Sequence, residues 1–257
     1  MCPSLSNLRC RGRLVGQVSV LALLVFALSV PAMADHPADA APISAGRHGE
    51  VVLDNARVRV EKFVLQPGDS TGRITHSADQ LLVFVTGGVL KSVATGRSTL
   101  WREGRVVWRS AGAPQEEDSI NAGAAPIVMM WVTIKPDVPA PSAGIRSSAD
   151  RDPYDGYLNY PNIPGEDMFE NARVIVQRFK IQPGEWEGVH AHRPNMLYIH
   201  IKGGYWAGRT NTQPVHTYPL DPDGAVGWQP TIDISEGHQS GNVGSEPIDL
   251  IWVSLKD

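Results

Sequence analysis

The sequence predicts an all-β protein made of two tandem antiparallel domains. Asn-Ala-Arg-Val occurs at 55–58 and again at 171–174, and Gln-Pro-Gly occurs at 66–68 and again at 182–184, so both pairs lie 116 residues apart. Short β-rich stretches recur between Gly- and Pro-containing turns, and no stretch after residue 34 keeps a 3.6-residue apolar period. These observations together predict a sandwich or barrel that occurs twice.

The first 34 residues have the composition of a secretory signal peptide. Arg9, Arg11 and Arg13 precede an almost wholly apolar stretch at 18–30, and small residues at 32–34 offer a cleavage site. The apolar stretch is too short to span a bilayer comfortably. We therefore expect an exported protein, periplasmic or secreted, that is cleaved after Ala34.

The two cysteines and the charge balance exclude several classes of function. Cys2 and Cys10 both lie in the signal, so the mature chain has no thiol for a disulfide, a nucleophile or a metal. Three of the 23 Lys and Arg residues also lie in the signal, which leaves 20 in the mature chain against 27 Asp and Glu. The mature part shows no basic cluster. We expect no nucleic-acid partner and no membrane contact after cleavage. We expect a small-molecule ligand or substrate as the partner. The sequence leaves open whether the chain forms a homodimer.

Composition divides the rest of the chain into segments. The predicted segments are a flexible lead-in at 35–50, a first domain at 51–136, a linker at 137–166 and a second domain at 167–257. Tyr154, Tyr157 and Tyr160 within the linker indicate that part of it packs on a domain surface.

The strands of each domain can be predicted from alternation and turn residues. Polar and apolar residues alternate at 57–65 and 173–181, and the Gln-Pro-Gly after each ends the strand in a turn. A second β-rich stretch lies at 81–85 and 197–201, and the Gly-Gly that follows it is typical of a tight hairpin. Further strands are predicted at 106–108, at 225–228 and in the apolar segments around Trp131 and Trp252.

Three histidines of the second copy form a candidate metal site. His190 and His192 are two residues apart, so in a strand both point to the same face. His238, shortly before the last predicted strand, is the natural third ligand. Three imidazoles make a facial tripod that leaves open coordination positions. The second copy is therefore predicted to hold one mononuclear divalent metal ion.

The spacing around His190 resembles the first motif of the cupin family. Gly184 precedes it by six residues, His192 follows it by two, and Gly203 closes the motif. Met196 stands where the family's usual glutamate ligand falls. His238 with Asn242 resembles the end of the second cupin motif, although the Pro-x-Gly that normally precedes it is not in register.

This resemblance, which covers both copies, implies a secreted bicupin. It implies two tandem cupin-type jelly-roll barrels joined by an irregular linker, with one divalent ion (iron, zinc, copper, manganese or nickel) in the second barrel. Cupin chemistry ranges over dioxygenation, isomerisation, decarboxylation and lyase reactions, and some members carry no metal. The fold therefore does not choose the reaction.

The three-histidine ligand set favours a particular class of substrate and reaction. Three neutral imidazoles leave the full dipositive charge on the metal, which favours a small anionic or chelating substrate. Three-histidine cupins include thiol dioxygenases and diketone-cleaving dioxygenases, so the resemblance favours a dioxygenase-like oxidoreductase, with an isomerase or lyase still open. The alternative is a bicupin without catalysis, either a small-ligand-binding protein or a structural one.

Residues near the motif are candidates for the pocket. Alternation places Tyr198 and His200 on the strand face of Met196, so both are candidate catalytic residues if that face meets the metal. A core histidine bonded to the backbone is an equally open interpretation of His200. Packing against the barrel wall is the expected role of Met196.

The first copy has lost the histidine set. Ile74 stands at the position of His190 and Gln80 at that of Met196, and pairing Asn121 with Asn242 puts Glu117 at the position of His238. The sequence leaves open the alternative that His76, Gln80 and Glu117 form a residual metal site. We expect the first domain to be metal-free and to serve in packing.

Overall fold

The computed structural model describes residues 49–116, 118–135 and 157–256, which lie in one compact unit. The predicted signal peptide, most of the predicted lead-in and residues 117, 136–156 and 257 lie outside the described residues. Within the described part, no helix has the length and apolar character needed to cross a membrane.

The described residues of the first half form eight strands in two antiparallel sheets. The strands are β1 (Glu50–Asp54), β2 (Val58–Leu65), β3 (Gln80–Phe84), β4 (Gly88–Ser92), β5 (Ser98–Trp101), β6 (Val106–Arg109), β7 (Ser119–Asn121) and β8 (Ile127–Ile134). The larger sheet has the order β1-β2-β8-β3-β6, and the smaller one has the order β5-β4-β7. Every described pairing is antiparallel.

The second half repeats this arrangement strand for strand. Its strands are β9 (Glu166–Glu170), β10 (Val174–Ile181), β11 (Met196–Lys202), β12 (Trp206–Arg209), β13 (His216–Thr217), β14 (Val226–Gln229), β15 (Gln239–Asn242) and β16 (Ile248–Leu255), with a 3₁₀ turn at Ile234–Glu236. The sheets have the orders β14-β11-β16-β10-β9 and β13-β12-β15. The molecule is all-β, with two jelly-roll barrels of identical strand order.

The Gly-Gly pairs do not close hairpins, so that prediction was wrong. β3 pairs with β6 and β8, whereas β4 pairs with β5 and β7 in the other sheet. A Cβ at Gly203 would lie 1.8 Å from the backbone oxygen of Asp221, and one at Gly87 would lie 2.4 Å from that of Trp101. Glycine is needed because the chain passes closely against another backbone segment as it changes sheet.

The larger sheets are buried on both faces, because residues alternate between two cores. On β3, Leu81 and Val83 join a core shared by both barrels, while Leu82 and Phe84 face the interior of the first barrel. Leu197 and Ile199 of β11 complete the shared core from the second barrel. The two five-stranded sheets therefore pack on each other and leave each barrel with an interior of its own.

The end of the linker packs on the second barrel. Leu158 is buried, and its backbone N–H donates to the side chain of Gln177 at 2.7 Å. Tyr160 and Ile163 are also buried, in the interior core of that barrel. This segment therefore brings a tyrosine from outside the strand repeat into the barrel, whereas Tyr154 lies outside the described residues.

Candidate metal centre

The three histidines of the second barrel lie together because two chain segments pair beside β11. The N–H of His192 donates to the carbonyl of Ile232 at 3.0 Å, and the N–H of Ile232 returns a bond at 2.9 Å. The N–H of His190 donates to the carbonyl of His238 at 3.2 Å. One ligand-capable nitrogen from each of the three imidazoles lies within 4.8 Å of the others. The structure thus brings together the three residues that the sequence singled out.

The hydrogen bonds of His190 indicate which of its nitrogens faces the centre. Its Nδ1 lies 2.9 Å from the carbonyl oxygen of Gly188, which can only accept, so Nδ1 carries the proton. Its Nε2 therefore presents a lone pair, 2.9 Å from Nε2 of His192. A backbone carbonyl that fixes the tautomer of an imidazole is a common supporting contact in metal sites.

Burial keeps these imidazoles neutral. Burial, together with the neighbouring histidines, lowers the pKa of His190 to about 4 and the pKa of His192 to about 2, while the bond to the backbone of Gly188 acts in the opposite direction on His190. Burial also lowers the pKa of the more exposed His238. Neutral imidazoles whose ring nitrogens converge suit a divalent cation, so the residues present fit a bound metal ion.

Glu187 is a buried carboxylate beside the histidines that sequence reasoning missed. Its Oε2 lies 3.7 Å from Nε2 of His190, and the residue is 2% exposed. Burial raises the pKa of Glu187 to about 7, while bonds from Tyr160 and Ser240 act in the opposite direction. The available signal was an acidic residue three positions before His190 in the same segment. The centre therefore has a carboxylate nearby, although Met196 replaces the glutamate of the motif.

Tyr160 links this carboxylate to the barrel wall. Its hydroxyl accepts a bond of 2.9 Å from the indole N–H of Trp252 and donates to Glu187. Its ring lies edge-on to His190, with centroids 4.6 Å apart. Tyr160 thus fixes the position of Glu187 against the histidines.

A cavity of about 480 Å³ opens beside the histidines. Its lining includes Tyr198 and His200, as strand alternation predicted, together with Trp206 and Trp252. The full set of lining residues is Tyr160, Glu187, His192, Tyr198, His200, Trp206, Tyr218, Pro219, Asp221, Gln229, Ile232, His238, Ser240, Leu250 and Trp252. Among the described residues, this lining holds two acidic side chains and no Lys or Arg.

His200 is buried in the cavity wall. Its Nε2 lies 3.9 Å from the carboxylate of Asp221, and its Nδ1 has no partner among the described residues. Burial lowers the pKa of His200, and Asp221 and Asp223 oppose that shift. His200 is therefore a neutral imidazole apart from the three converging ones.

Several other residues near the motif have structural roles. Met196 is 1% exposed and packs in the interior core. The side-chain amide of Asn242 donates to the carbonyls of Ile181 and Glu246, and Asn121 makes the matching bonds in the first barrel. Trp186 lies under the guanidinium of Arg209 and not in the cavity lining.

In the first barrel, the position of His238 is occupied by Glu116 and not by Glu117, which the sequence predicted. The N–H of Ile74 donates to the carbonyl of Glu116 at 3.1 Å, as that of His190 does to His238. Nε2 of His76 lies 3.7 Å from the carboxylate of Glu116, and its Nδ1 lies 3.0 Å from Oε1 of Gln80. Glu117 lies outside the described residues.

The jelly-roll barrels and the three-histidine centre define the class of this protein. The chain is 34% identical over 87 residues to the beta-alanine degradation protein BauB of Pseudomonas aeruginosa, a match that covers 33% of this chain and 90% of that protein. The chain belongs to the cupin superfamily. No family model matches the sequence.

Solved structures include further similar proteins. A cupin domain from Bordetella pertussis is 29% identical, and the match covers 33% of this chain and 88% of that one with a TM-score of 0.29. The oxalate decarboxylase of Lactobacillus farciminis, solved as a formate complex, is 18% identical over 79% of this chain and 78% of that one, with a TM-score of 0.49.

Proposed function

We propose that the protein is an exported metal-dependent cupin enzyme with one divalent ion held by His190, His192 and His238. The observation that carries this proposal is the convergence of three neutral imidazoles beside a cavity. A bound divalent metal supplies Lewis acidity and, with iron, copper or manganese, redox chemistry with oxygen. The reaction class that we favour is dioxygenase-like.

The charge of a bound metal ion, and not that of the cavity lining, would hold a substrate through an anionic donor atom. Glu187 and Asp221 are the acidic lining residues, and no Lys or Arg among the described residues lines the cavity. An anionic group of the substrate therefore has no cationic side chain to bind in this cavity. The open side of the histidine tripod is the place for it, which favours small chelating molecules.

The remaining lining residues orient the substrate and exclude water. Trp206 and Trp252 provide apolar walls, and Tyr198 offers a hydroxyl that can donate to the substrate. His200 and Tyr198 are the candidate catalytic residues, because both line the cavity without being tripod members. A neutral imidazole at His200 can accept a proton from a substrate group within reach.

The metal site is tested by elemental analysis of the purified protein. We expect about one divalent ion per chain in the wild type and none in the double variant His190→Ala/His192→Ala. His216→Ala is the matched control, because His216 is exposed in β13; it should keep the full metal content. Unchanged metal in a folded double variant would refute the site.

A second measurement separates the enzyme from the alternative of a ligand-binding or structural bicupin. Oxygen consumption is followed with small chelating acids, thiols and diketones as candidate substrates. Metal-dependent uptake with one of them supports the dioxygenase-like reaction. Saturable binding without turnover across the set favours the binding protein, and absence of stoichiometric metal favours the structural one.

Export is tested by the N-terminus of the mature protein. Cleavage after Ala34 gives a chain that begins with Asp35, which mass spectrometry of the extracytoplasmic fraction will identify. Recovery of full-length protein in the cytoplasm would contradict export and leave the metal-centre proposal standing.

A further inference from the structure

The interior of the first barrel is hollow and partly polar, although it lacks the histidine set. It contains a cavity of about 180 Å³ whose walls include Phe84, Trp101 and Met129. Its polar lining includes Arg97, Arg109 and Glu116. A barrel that served in packing alone would gain stability by filling this space with apolar side chains. The cavity and its charged lining therefore indicate a ligand-binding site.

Arg109 is placed in the interior by strand register. It lies opposite Gln80 across β3 and β6, so the two side chains share the interior face. Gln229 lies opposite Met196 in the same way, and is therefore the counterpart of Arg109 in the second barrel. The first barrel thus has a fixed cation where the second has a neutral amide.

The guanidinium of Arg109 has N–H groups that no described residue accepts a hydrogen bond from. Its Nε donates to the carboxylate of Glu116, and its Nη1 donates to the carbonyl of Trp108 at 3.1 Å. A guanidinium carries five N–H groups, which leaves about three that the described residues do not use. Because Glu116 stands at the position of His238, Arg109 brings its positive charge to the region that holds the metal ligands in the other barrel.

The net charge of the lining favours an anion. Arg97 and Arg109 contribute two positive charges and Glu116 one negative charge, and no other ionisable residue in the described part of the chain lines the cavity. Trp131 adds a donor: its indole N–H has no partner among the described residues, whereas that of Trp252 donates to Tyr160. A carboxylate can accept hydrogen bonds from the unused N–H groups of Arg109 and from the indole N–H of Trp131.

We propose that the first barrel binds a small organic carboxylate without a metal, with the carboxylate on Arg109 and the apolar part against Met129 and the stacked rings of Phe84 and Trp101. The volume restricts the size of the ligand, since an apolar cavity of about 150 Å³ holds benzene. One ring or a short hydrocarbon chain is therefore the upper limit. This site is independent of the metal centre of the second barrel.

The test is isothermal titration of the full-length mature chain with benzoate, as purified and after removal of metal by a chelator. We expect saturable binding in both states, and binding of the neutral analogue benzyl alcohol at least about tenfold weaker. Arg109→Gln installs the residue found at the matching position of the second barrel, and should weaken benzoate binding about 10- to 100-fold. Arg102→Gln is the control, because Arg102 is exposed and outside the lining; it should bind as the wild type does.

A second variant keeps the test valid if Arg109→Gln fails to fold. Val107 shares the interior face of β6 with Arg109 and lines the cavity. Val107→Phe places a ring in the cavity, so benzoate binding should be lost while the chain stays folded. Wild-type affinity in either folded variant would overturn the proposal, as would the absence of saturable binding or its loss on metal removal.

Discussion

Glu116 occupies in the first barrel the position that His238 occupies in the second. The carbonyl of each accepts a bond from the backbone at the first ligand position, at 3.1 Å from Ile74 and 3.2 Å from His190. The side chain at that position is a neutral imidazole in one barrel and a carboxylate paired with Arg109 in the other. One repeated backbone thus carries a histidine tripod in one half and a paired arginine and glutamate in the other.

This equivalence predicts that a second metal site can be restored. The triple variant Ile74→His/Glu116→His/Arg109→Gln gives the first barrel the histidines that flank His76, and removes the competing guanidinium. Elemental analysis should then find about two divalent ions per chain instead of one. Glu116→His/Arg109→Gln without Ile74→His is the control and should stay at one, because two imidazoles beside the apolar Ile74 make an incomplete site. A folded triple variant with one ion would contradict the equivalence.

Sequence reasoning reached the histidine tripod because the His-x-His spacing and the repeat are local signals, but the expected strand was wrong: His190 and His192 lie between β10 and β11, where His192 makes only an isolated bridge to Ile232. Sequence reasoning also placed Tyr198 and His200 on the cavity wall, from the alternation along β11. It assigned Glu117 to the position of His238 because it counted back from Asn121, and the two copies differ by one residue between these points. The backbone bonds that identify Glu116 connect segments distant in sequence, so no local pattern reveals them.

Two other features of the fold depend on contacts that have no sequence motif. Glu187 joins the centre through a bond from Tyr160, which comes from the linker and has no described counterpart in the first copy. The Gly-Gly pairs carry the same residues as a hairpin turn, but here they serve a close backbone approach. Composition cannot separate these two uses of glycine, because both require the absence of a side chain.

Tyr160→Phe should destabilise the protein by about 1–3 kcal/mol, because it leaves the buried indole N–H of Trp252 without its acceptor. The bond it removes is 2.9 Å long, and Tyr160 is 4% exposed. Urea unfolding measures the change in free energy. Tyr205→Phe is the matched control, since Tyr205 is 51% exposed and should change the stability by less than about 0.5 kcal/mol. Equal stability of the two variants would show that another group satisfies the indole.

Gly203→Ala should lower the free energy of unfolding by about 1–3 kcal/mol or more, because backbone must move to accept the methyl group. The added Cβ would lie 1.8 Å from the backbone oxygen of Asp221. Gly244→Ala is the control: its nearest neighbour is a side-chain oxygen of Asn242 at 3.4 Å, an ordinary contact. Both variants are compared by thermal and urea unfolding. If Gly203→Ala behaves like the control, the close approach between the two backbone segments is wrong.

Ile199→Ala should destabilise both barrels together by about 2–5 kcal/mol, because it opens a cavity in the core that they share. Ile199 is fully buried and packs in one cluster with Leu81 and Val83 of the first barrel. Urea unfolding is followed by tryptophan fluorescence and by far-ultraviolet circular dichroism, and we expect one transition that shifts equally in both signals. Val93→Ala, at a position that is 55% exposed, should leave the transition in place. Two separate transitions, of which only one responds to Ile199→Ala, would mean that the barrels fold independently and that their contact contributes little to stability.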